Sequence, residues 1–409
     1  MSGTRADDDA TTIVIAARNA SATIERAVSS ALAQGDYPLL LVDDHSEDGT
    51  VSLAQAVAGD RLRIVRPAHH GPLGFTRQTG LMAIGTPYAA WLDADDEFLP
   101  GRLPRLLHQL KSDGADLAFD AAELADDRWT ATRALAPIPP FLTGDSNLAR
   151  QFERNYLPAP GAPVFRTAVL RELGYDVALH GAEDMDVILR ASLARRRFTL
   201  AAEPGYTIHA LPSSQSRQRQ NQRAMYRAAL LKHAYGDVET LFFRSGYGAR
   251  TTMWALLSMA AFRQEWKEAL GWLDRIESLP IVGLAIVEPD GPSPFPERWR
   301  LAFWRGTLLL HADDGPAARR WLTIAETLRP SPEGANNLGV AERLAGNRGA
   351  ADALFAIAAA RLPHYEDALM NLRNDAGGPY VTTHPFRVHR NRTDYETDPA
   401  GPDTIPAVA

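Results

Sequence analysis

The 409-residue chain contains no cysteine. Disulfides and thiolate metal sites are thereby excluded, and the absence fits a reducing compartment. Long apolar runs are missing as well. A stretch such as Ile281 to Val287 falls far short of the ~20 residues that a bilayer-spanning helix needs. The opening MSGTRADDDA is acidic and lacks the apolar centre of a secretory signal. These absences lead us to expect a cytoplasmic protein, including the peripheral inner membrane surface. Positive charge is not in excess either. The formal net charge is -7, whereas duplex DNA binding draws its affinity mainly from Lys and Arg. Two nucleotide signatures are also absent. The first strand runs into Ala17-Arg18-Asn19-Ala20-Ser21 without a glycine, so no G-x-G-x-x-G lets backbone approach a pyrophosphate there. No G-x-x-x-x-G-K-[ST] occurs, which removes the P-loop enzymes.

What is present is an ordinary globular composition, 45% hydrophobic and 23% charged, on a chain long enough for two or three units. Thr12 to Ala16, Leu39 to Val42, Arg61 to Arg66 and Tyr88 to Leu92 read as strands. Between them, Ile24, Ala27, Val28, Ala31 and Leu32 recur at helical spacing, with further helices near Val51 to Val57 and up to Ile84. Strands alternating with helices predict crossover connections and a mainly parallel sheet, whose ligands sit beyond the carboxyl ends of the strands. After Ser213 the pattern turns helical. Gly306, Ala318, Leu322, Ala325 and Pro330 recur as Gly339, Ala351, Phe355, Ala358 and Pro363, a step of 33 residues between the glycines. This spacing is that of tetratricopeptide repeats, and a weaker unit around Trp254, Trp266, Ala269 and Leu273 precedes them. A generic helical bundle is the alternative. Stacked repeats offer a concave surface for a peptide or a second subunit.

Chemistry is expected where polar residues follow the strands. The second strand ends in Val42-Asp43-Asp44-His45-Ser46, where a carboxylate accepts bonds from a base or ribose, or merely shapes a turn. The fourth ends in Asp93-Ala94-Asp95-Asp96-Glu97. Four crowded carboxylates either form a solvated loop or hold a hard cation, Mg²⁺ or Mn²⁺, that also binds a diphosphate. Arg77, near a helix start, suits a phosphate or simple surface exposure. Glu183 and Asp184 open a helix, as capping anions or as a general base. Tyr206, His209, Ser213 and Ser214 follow a strand expected near Arg197 to Ala201, and His209 is a candidate metal or diphosphate contact.

Together, four stretches resemble a family-2 glycosyltransferase of the GT-A fold: TIVIAARNASATIERAVSSALAQ, LLLVDDHSEDGT, GFTRQTGLMAIGTPYAAWLDADDEFLP and PVFRTAVLRELGYDVALHGAEDMDVILR. The resemblance implies an α/β GT-A domain over 11–215, between a flexible tail (1–10) and a helical connector (216–250). Tetratricopeptide-like repeats (251–373) and a loosely ordered tail (374–409) follow. It further implies that Ala17, Asn19, Asp44, Arg77, Asp93 and His209 line a nucleotide-sugar pocket. Asp93 and Asp95 would hold Mn²⁺ or Mg²⁺, and Asp184 would be the catalytic base with Glu183 beside it. The expected reaction is metal-assisted, inverting transfer of one sugar to a glycan, or to a peptide or protein presented by the repeats, which also suit a homodimer. The chain departs from the family at Ala16, Arg18 and Gln78, where proline, an aromatic and asparagine are usual. It also lacks the Gln-x-x-Arg-Trp motif of polymerising synthases. Two other readings are a repeat scaffold with a degenerate transferase domain and a sugar-nucleotide-forming nucleotidyltransferase. The latter wants a glycine-rich basic loop that ARNASAT does not provide.

Overall fold

A computed structural model describes residues 10–125, 134–142, 148–209, 219–279, 287–288, 291–292, 297–363, 365–374, 380–383 and 403–405. Ser213, Ser214, nearly all of the amino-terminal tail and most of the carboxy-terminal tail lie outside these residues. The chain divides into two units. One comprises Met1–Ser214 with Ala228–Gly246, the other Gln215–Arg227 with Tyr247–Ala409. The stretch expected to be a single connector, 216–250, is thus shared between them.

The first unit is built on strands β1 (Thr11–Ala17), β2 (Leu39–Asp43), β3 (Leu62–Val65) and β4 (Tyr88–Asp93), joined by helices α1 (Ile24–Leu32), α2 (Thr50–Ala58) and α3 (Leu73–Ala83). Then follow β5 (Glu97–Phe98), α4 (Arg102–Ser112), β6 (Leu117–Ala125), β7 (Ala134–Ala136), β8 (Val164–Arg166), α5 (Thr167–Leu173), α6 (Glu183–Leu193) and β9 (Phe198–His209). The sheet runs β3-β2-β1-β4-β8-β6-β9-β5, with β7 beside β6. Its first four strands are parallel, as the sequence pattern predicts. All of β2 and nearly all of β1 are buried, as strands covered on both faces must be.

Beyond β4 the sheet becomes mixed, because β8 runs antiparallel to both β4 and β6. The strand β8 enters from a loop rather than a crossover helix, so nothing forces it parallel. The loop is held firmly: Trp91 N–H donates to Pro163 O at 3.1 Å. Arg102, fully buried, donates to Ala162 O at 2.6 Å and grips Asp120 with bonds of 2.9 and 3.0 Å. Ile13, Ile15, Val28, Leu41, Leu92, Leu103 and Leu106 form the adjoining apolar core. Register fixes the functional edge. Ala17 lies beside Asp43, and Ala16 beside Asp93, so the ends of β1, β2 and β4 finish together. This arrangement is an α/β GT-A-type domain with a mixed sheet.

Residues 228–246 add the end of α7 (Arg219–Leu230) and α8 (Tyr235–Arg244) to this unit. Lys232 pairs with Asp176 at 2.7 Å and with the buried Asp186 of α6 at 2.5 Å.

The second unit is helical: α9 (Ala249–Arg263), α10 (Trp266–Ser278), α11 (Glu297–His311), α12 (Gly315–Leu328), α13 (Pro332–Leu344), α14 (Arg348–Arg361) and α15 (Glu366–Arg373). Two helix pairs use the same device. A Cβ on Gly306 would come within 2.6 Å of Leu322, and one on Gly339 within 2.6 Å of Phe355. In each pair glycine on the first helix lets a large side chain of the second approach its backbone. Ala318, Ala325, Ala351 and Ala358 are all buried behind them. Ser331 and Asp314 cap α13 and α12 by accepting backbone N–H bonds at 2.9 and 3.1 Å. Within the stretch read as a loose tail, Tyr380–Thr382 form a buried strand, β10, and Tyr380 joins the helical core. Among the described residues no helix is long and apolar enough to cross a membrane.

Candidate active site

The loops after β1 and β2 are stitched to each other. Asn19, at φ +48°, accepts the Glu47 N–H on its Oδ1 at 2.9 Å, while its own N–H donates to Ser46 Oγ at 3.0 Å. Asparagine tolerates that left-handed backbone better than most residues. Ala20 N–H donates to Thr50 Oγ1 at 2.7 Å, and Asp44 N–H to Ala17 O at 2.9 Å. Asn19 and Ala17 therefore shape the rim through backbone bonds. Asp44 is buried at the floor of this edge. Its Oδ2 bonds His70 Nδ1 at 2.7 Å, and His70 Nε2 meets Arg18 Nη1 at 2.5 Å. The other oxygen, Oδ1, is buried without a hydrogen-bond partner among the described residues.

Arg77 lies one turn into α3 and is buried, with its guanidinium over Trp91 at 5.1 Å. Its Nη2 donates to Asp93 Oδ1 at 2.7 Å, its Nη1 to Gly161 O at 2.7 Å, and its Nε faces Glu183 Oε1 at 3.1 Å. Three chain segments distant in sequence are thus tied by one side chain. Nη1 and Nη2 thus donate to protein groups, while Nε lies at ion-pair distance from Glu183 without a hydrogen bond among the described residues.

Gly161 closes the arrangement. A Cβ there would stand 2.9 Å from Arg77 Nη2, 3.4 Å from Asp184 Oδ2 and 3.5 Å from Asp93 Oδ2. The Asp93 and Asp184 carboxylates therefore converge on one point beneath Gly161, where a Cβ would press on the Arg77 guanidinium. Asp184 follows Ala182, whose φ of +53° turns the chain into α6, and it accepts the Met185 N–H at 2.7 Å.

The acidic turn is strongly braced. Asp93 N–H donates to the buried Tyr206 Oη at 3.2 Å, and Arg26 donates to Asp95 O. Asp96 is buried and accepts the His209 N–H at 2.8 Å, while the His209 ring faces Glu97 at 3.3 Å. His209 is thus beside the turn, with its ring directed to Glu97. Among the described residues, no three His, Asp or Glu side chains gather as a metal cage.

Residues 12–174 match the family model Glycosyl transferase family 2. Over 211 residues the chain is 36% identical to the succinoglycan biosynthesis protein ExoU of Rhizobium meliloti (strain 1021), covering 47% of this chain and 60% of that protein. It is 30% identical over 220 residues to ExoO of the same organism, covering 50% and 62% respectively. The chain therefore spans about three fifths of the length of these relatives. Among solved structures, S. aureus TarS 1-349 in complex with UDP aligns over 86% of this chain and 91% of that one. The identity is 12% and the TM-score 0.43.

Burial and crowding of like charge set the proton affinities. Glu183 is pushed up to about 7, by burial and then by the Asp184 charge, with Arg77 opposing. Asp184 is raised by burial, again against Arg77. Asp96 is driven well up by burial and by the charges of Asp93 and Asp95. Arg77, between Asp93 and Glu183, stays protonated.

A stability signature follows. Folding raises the Glu183 carboxyl from its ordinary 4.5 to about 7, so the folded state binds the proton more tightly. The corresponding stability is present below pH 4.5 and is lost as pH rises through 7. The melting temperature of the ligand-free protein is therefore expected to fall across that window, and Glu183→Gln to flatten the fall. Melts recorded at half-unit pH steps check this. An unchanged slope in the variant would place the proton elsewhere.

Sequence reasoning missed His70 and Gly161, and named Tyr206 without a role. The His69-His70-Gly71 run after β3 was a usable signal, since it lies at the same sheet edge. Gly161 gave none, because its function depends on three partners remote in sequence.

Proposed function

We propose that the chain is an inverting glycosyltransferase that moves one sugar from a nucleotide-diphosphate donor to an acceptor hydroxyl. The observation that carries this reading is the convergence of Asp93 and Asp184 under Gly161, tied by Arg77. The family match over residues 12–174 supports it, and so does the succinoglycan biosynthesis role in the names of two relatives.

Asp44 Oδ1, a buried acceptor lacking a donor among the described residues, suits a ring N–H of the base. The diphosphate would then lie toward the acidic turn. Asp93 and Asp95 fit a divalent cation in charge and hardness: their negative charges, added to burial, push the Asp96 carboxyl well up. Such an ion, Mn²⁺ or Mg²⁺, would supply positive charge against the diphosphate. Asp184, with its raised proton affinity, takes the proton from the acceptor hydroxyl as that oxygen bonds to the anomeric carbon. The bond to the diphosphate oxygen breaks on the opposite face and its electron pair leaves with the nucleotide, so the centre inverts. Glu183, held by Arg77, fixes the start of α6 and hence the position of Asp184.

The equal contacts of Gly306 with Leu322 and Gly339 with Phe355 support reading the helical unit as tetratricopeptide-like. In this reading it presents a glycan, peptide or protein acceptor, or a second copy of the chain.

Titration calorimetry with UDP and GDP tests the donor side. Binding is expected with Mn²⁺ and strongly weakened in EDTA, because the acidic turn and a diphosphate repel each other. Asp95→Asn should lose most of the metal-dependent affinity without lowering the melting temperature, since it relieves repulsion. Equal affinity in EDTA would remove the cation from the proposal. No binding of either nucleotide under any condition would remove the donor.

A further inference from the structure

Asn336, Asn337 and Asn371 are fully buried in the helical unit. Asparagine favours helices poorly, and a buried carboxamide is costly unless its bonds are made. Here the bonds converge on one short stretch of backbone. Asn371 Oδ1 accepts the Val381 N–H at 2.7 Å, and Asn371 Nδ2 donates to Val381 O at 2.7 Å. Asn336 Nδ2 donates to the same carbonyl at 3.0 Å. Asn337 repeats the pattern two residues on, accepting the Thr383 N–H at 2.6 Å and donating to Thr383 O at 2.9 Å. Asn371 also donates to Asn336 Oδ1 at 3.0 Å, which joins the row laterally.

Alternate residues of an extended strand present their N–H and C=O to the same side. The row of carboxamides reads that edge as a neighbouring strand would. Nothing in these bonds depends on the side chain of Val381, because every residue except proline carries the same groups. Side-chain preference enters through hydroxyls. Thr382 Oγ1 meets His311 Nε2 at 3.1 Å, while Thr383 Oγ1 donates to Asp367 Oδ2 at 2.8 Å and meets the Tyr365 hydroxyl.

We propose that Asn336, Asn337 and Asn371 form a backbone-reading groove for an extended polypeptide, filled in cis by Tyr380–Thr383. Its partner is a protein segment carrying hydroxyl residues where Thr382 and Thr383 stand. The chain's own segment follows α15 closely, so its effective concentration is high and it masks the groove until displaced. This assignment does not depend on the donor chemistry of the other unit, because its readout is peptide binding alone.

The test uses the full chain and a fluorescein-labelled peptide, GPYVTTHPF, which copies residues 378–386. Val381→Pro removes the N–H that Asn371 accepts and so loosens the cis segment. Fluorescence anisotropy should show the peptide binding this variant at least roughly tenfold more tightly than the parental chain. Adding Asn371→Ala should lose that gain, and a peptide with proline in place of its valine should bind neither protein. A Val381→Pro chain with the parental circular dichroism spectrum and no peptide binding would overturn the proposal. Equal binding of the proline peptide would overturn it too. If Val381→Pro misfolds, the parental chain decides. A large excess of peptide carrying a photoreactive leucine at its valine should crosslink to α13 and α15. Crosslinks that are absent, or scattered over other helices, would sink the idea.

Discussion

Asp184→Asn is expected to lower the transfer rate by ~10²–10⁴, the usual contribution of a positioned general base, while donor affinity stays at the parental level. The amide keeps the shape of the carboxylate and still accepts the Met185 N–H through its oxygen, so α6 should keep its start. What it loses is the ability to take a proton from the acceptor. In the proposed reading donor affinity rests on Asp44 and the cation held by the acidic turn, neither of which needs Asp184 as a base. Rate and binding therefore separate in this variant. Steady-state turnover alongside calorimetric donor titration checks the split. A variant that transfers at nearly the parental rate would assign the base to Glu183 or another group.

At a pH well above 7, where Glu183 is ionised in the parental protein, Arg77→Met is expected to destabilise the first unit by about 3–5 kcal/mol, the range for stranding one partner of a buried ion pair. The Glu183 pair dominates this cost, because Arg77 and Glu183 side chains are 3% and 4% exposed. The Asp93 pair counts for less, since Asp93 is 37% exposed and water screens it. Arg77→Lys should recover little, because one ammonium cannot reach Asp93, Gly161 O and Glu183 together. A second change provides a control. Arg77→Met with Glu183→Gln removes the stranded charge and should regain part of the loss. Urea unfolding of the four proteins measures these differences. A loss below about 1 kcal/mol for Arg77→Met would mean that the cluster is solvated rather than buried.

The reach of the sequence is explained by which features are periodic. Strands β1 to β4 are bounded by polar turns and separated by amphipathic helices, so a period of two or 3.6 residues reveals them. The carboxylates at Asp44, Asp93 and Asp184 stood out because they follow or open such elements. By contrast, β8 is only three residues long and offers no period, so the mixed half of the sheet was invisible. Sequence alone left Arg77 between a phosphate contact and surface exposure, because its three protein partners come from β4, α6 and the 159–163 loop. The sequence places His209 after a strand near Arg197 to Ala201; β9 instead extends to His209 itself, whose ring partner, Glu97, belongs to another strand. Tyr380–Thr383 resembled a tail because threonine, glycine and proline surround it. The opposite signal lay elsewhere, in the paired amides Asn336 and Asn337 between Ala335 and Leu338.

Time-resolved proton nuclear magnetic resonance of donor turnover tests the central claim most directly. UDP-, GDP- and dTDP-sugars are each incubated with the protein and Mn²⁺, with Asp184→Asn as the control, and the anomeric signal of the first released sugar is followed. Single displacement assisted by Asp184 predicts release from one nucleotide class, as the anomer opposite to that of the donor, and much slower release in the variant. First release of the same anomer as the donor, or release that ignores the loss of Asp184, would contradict it.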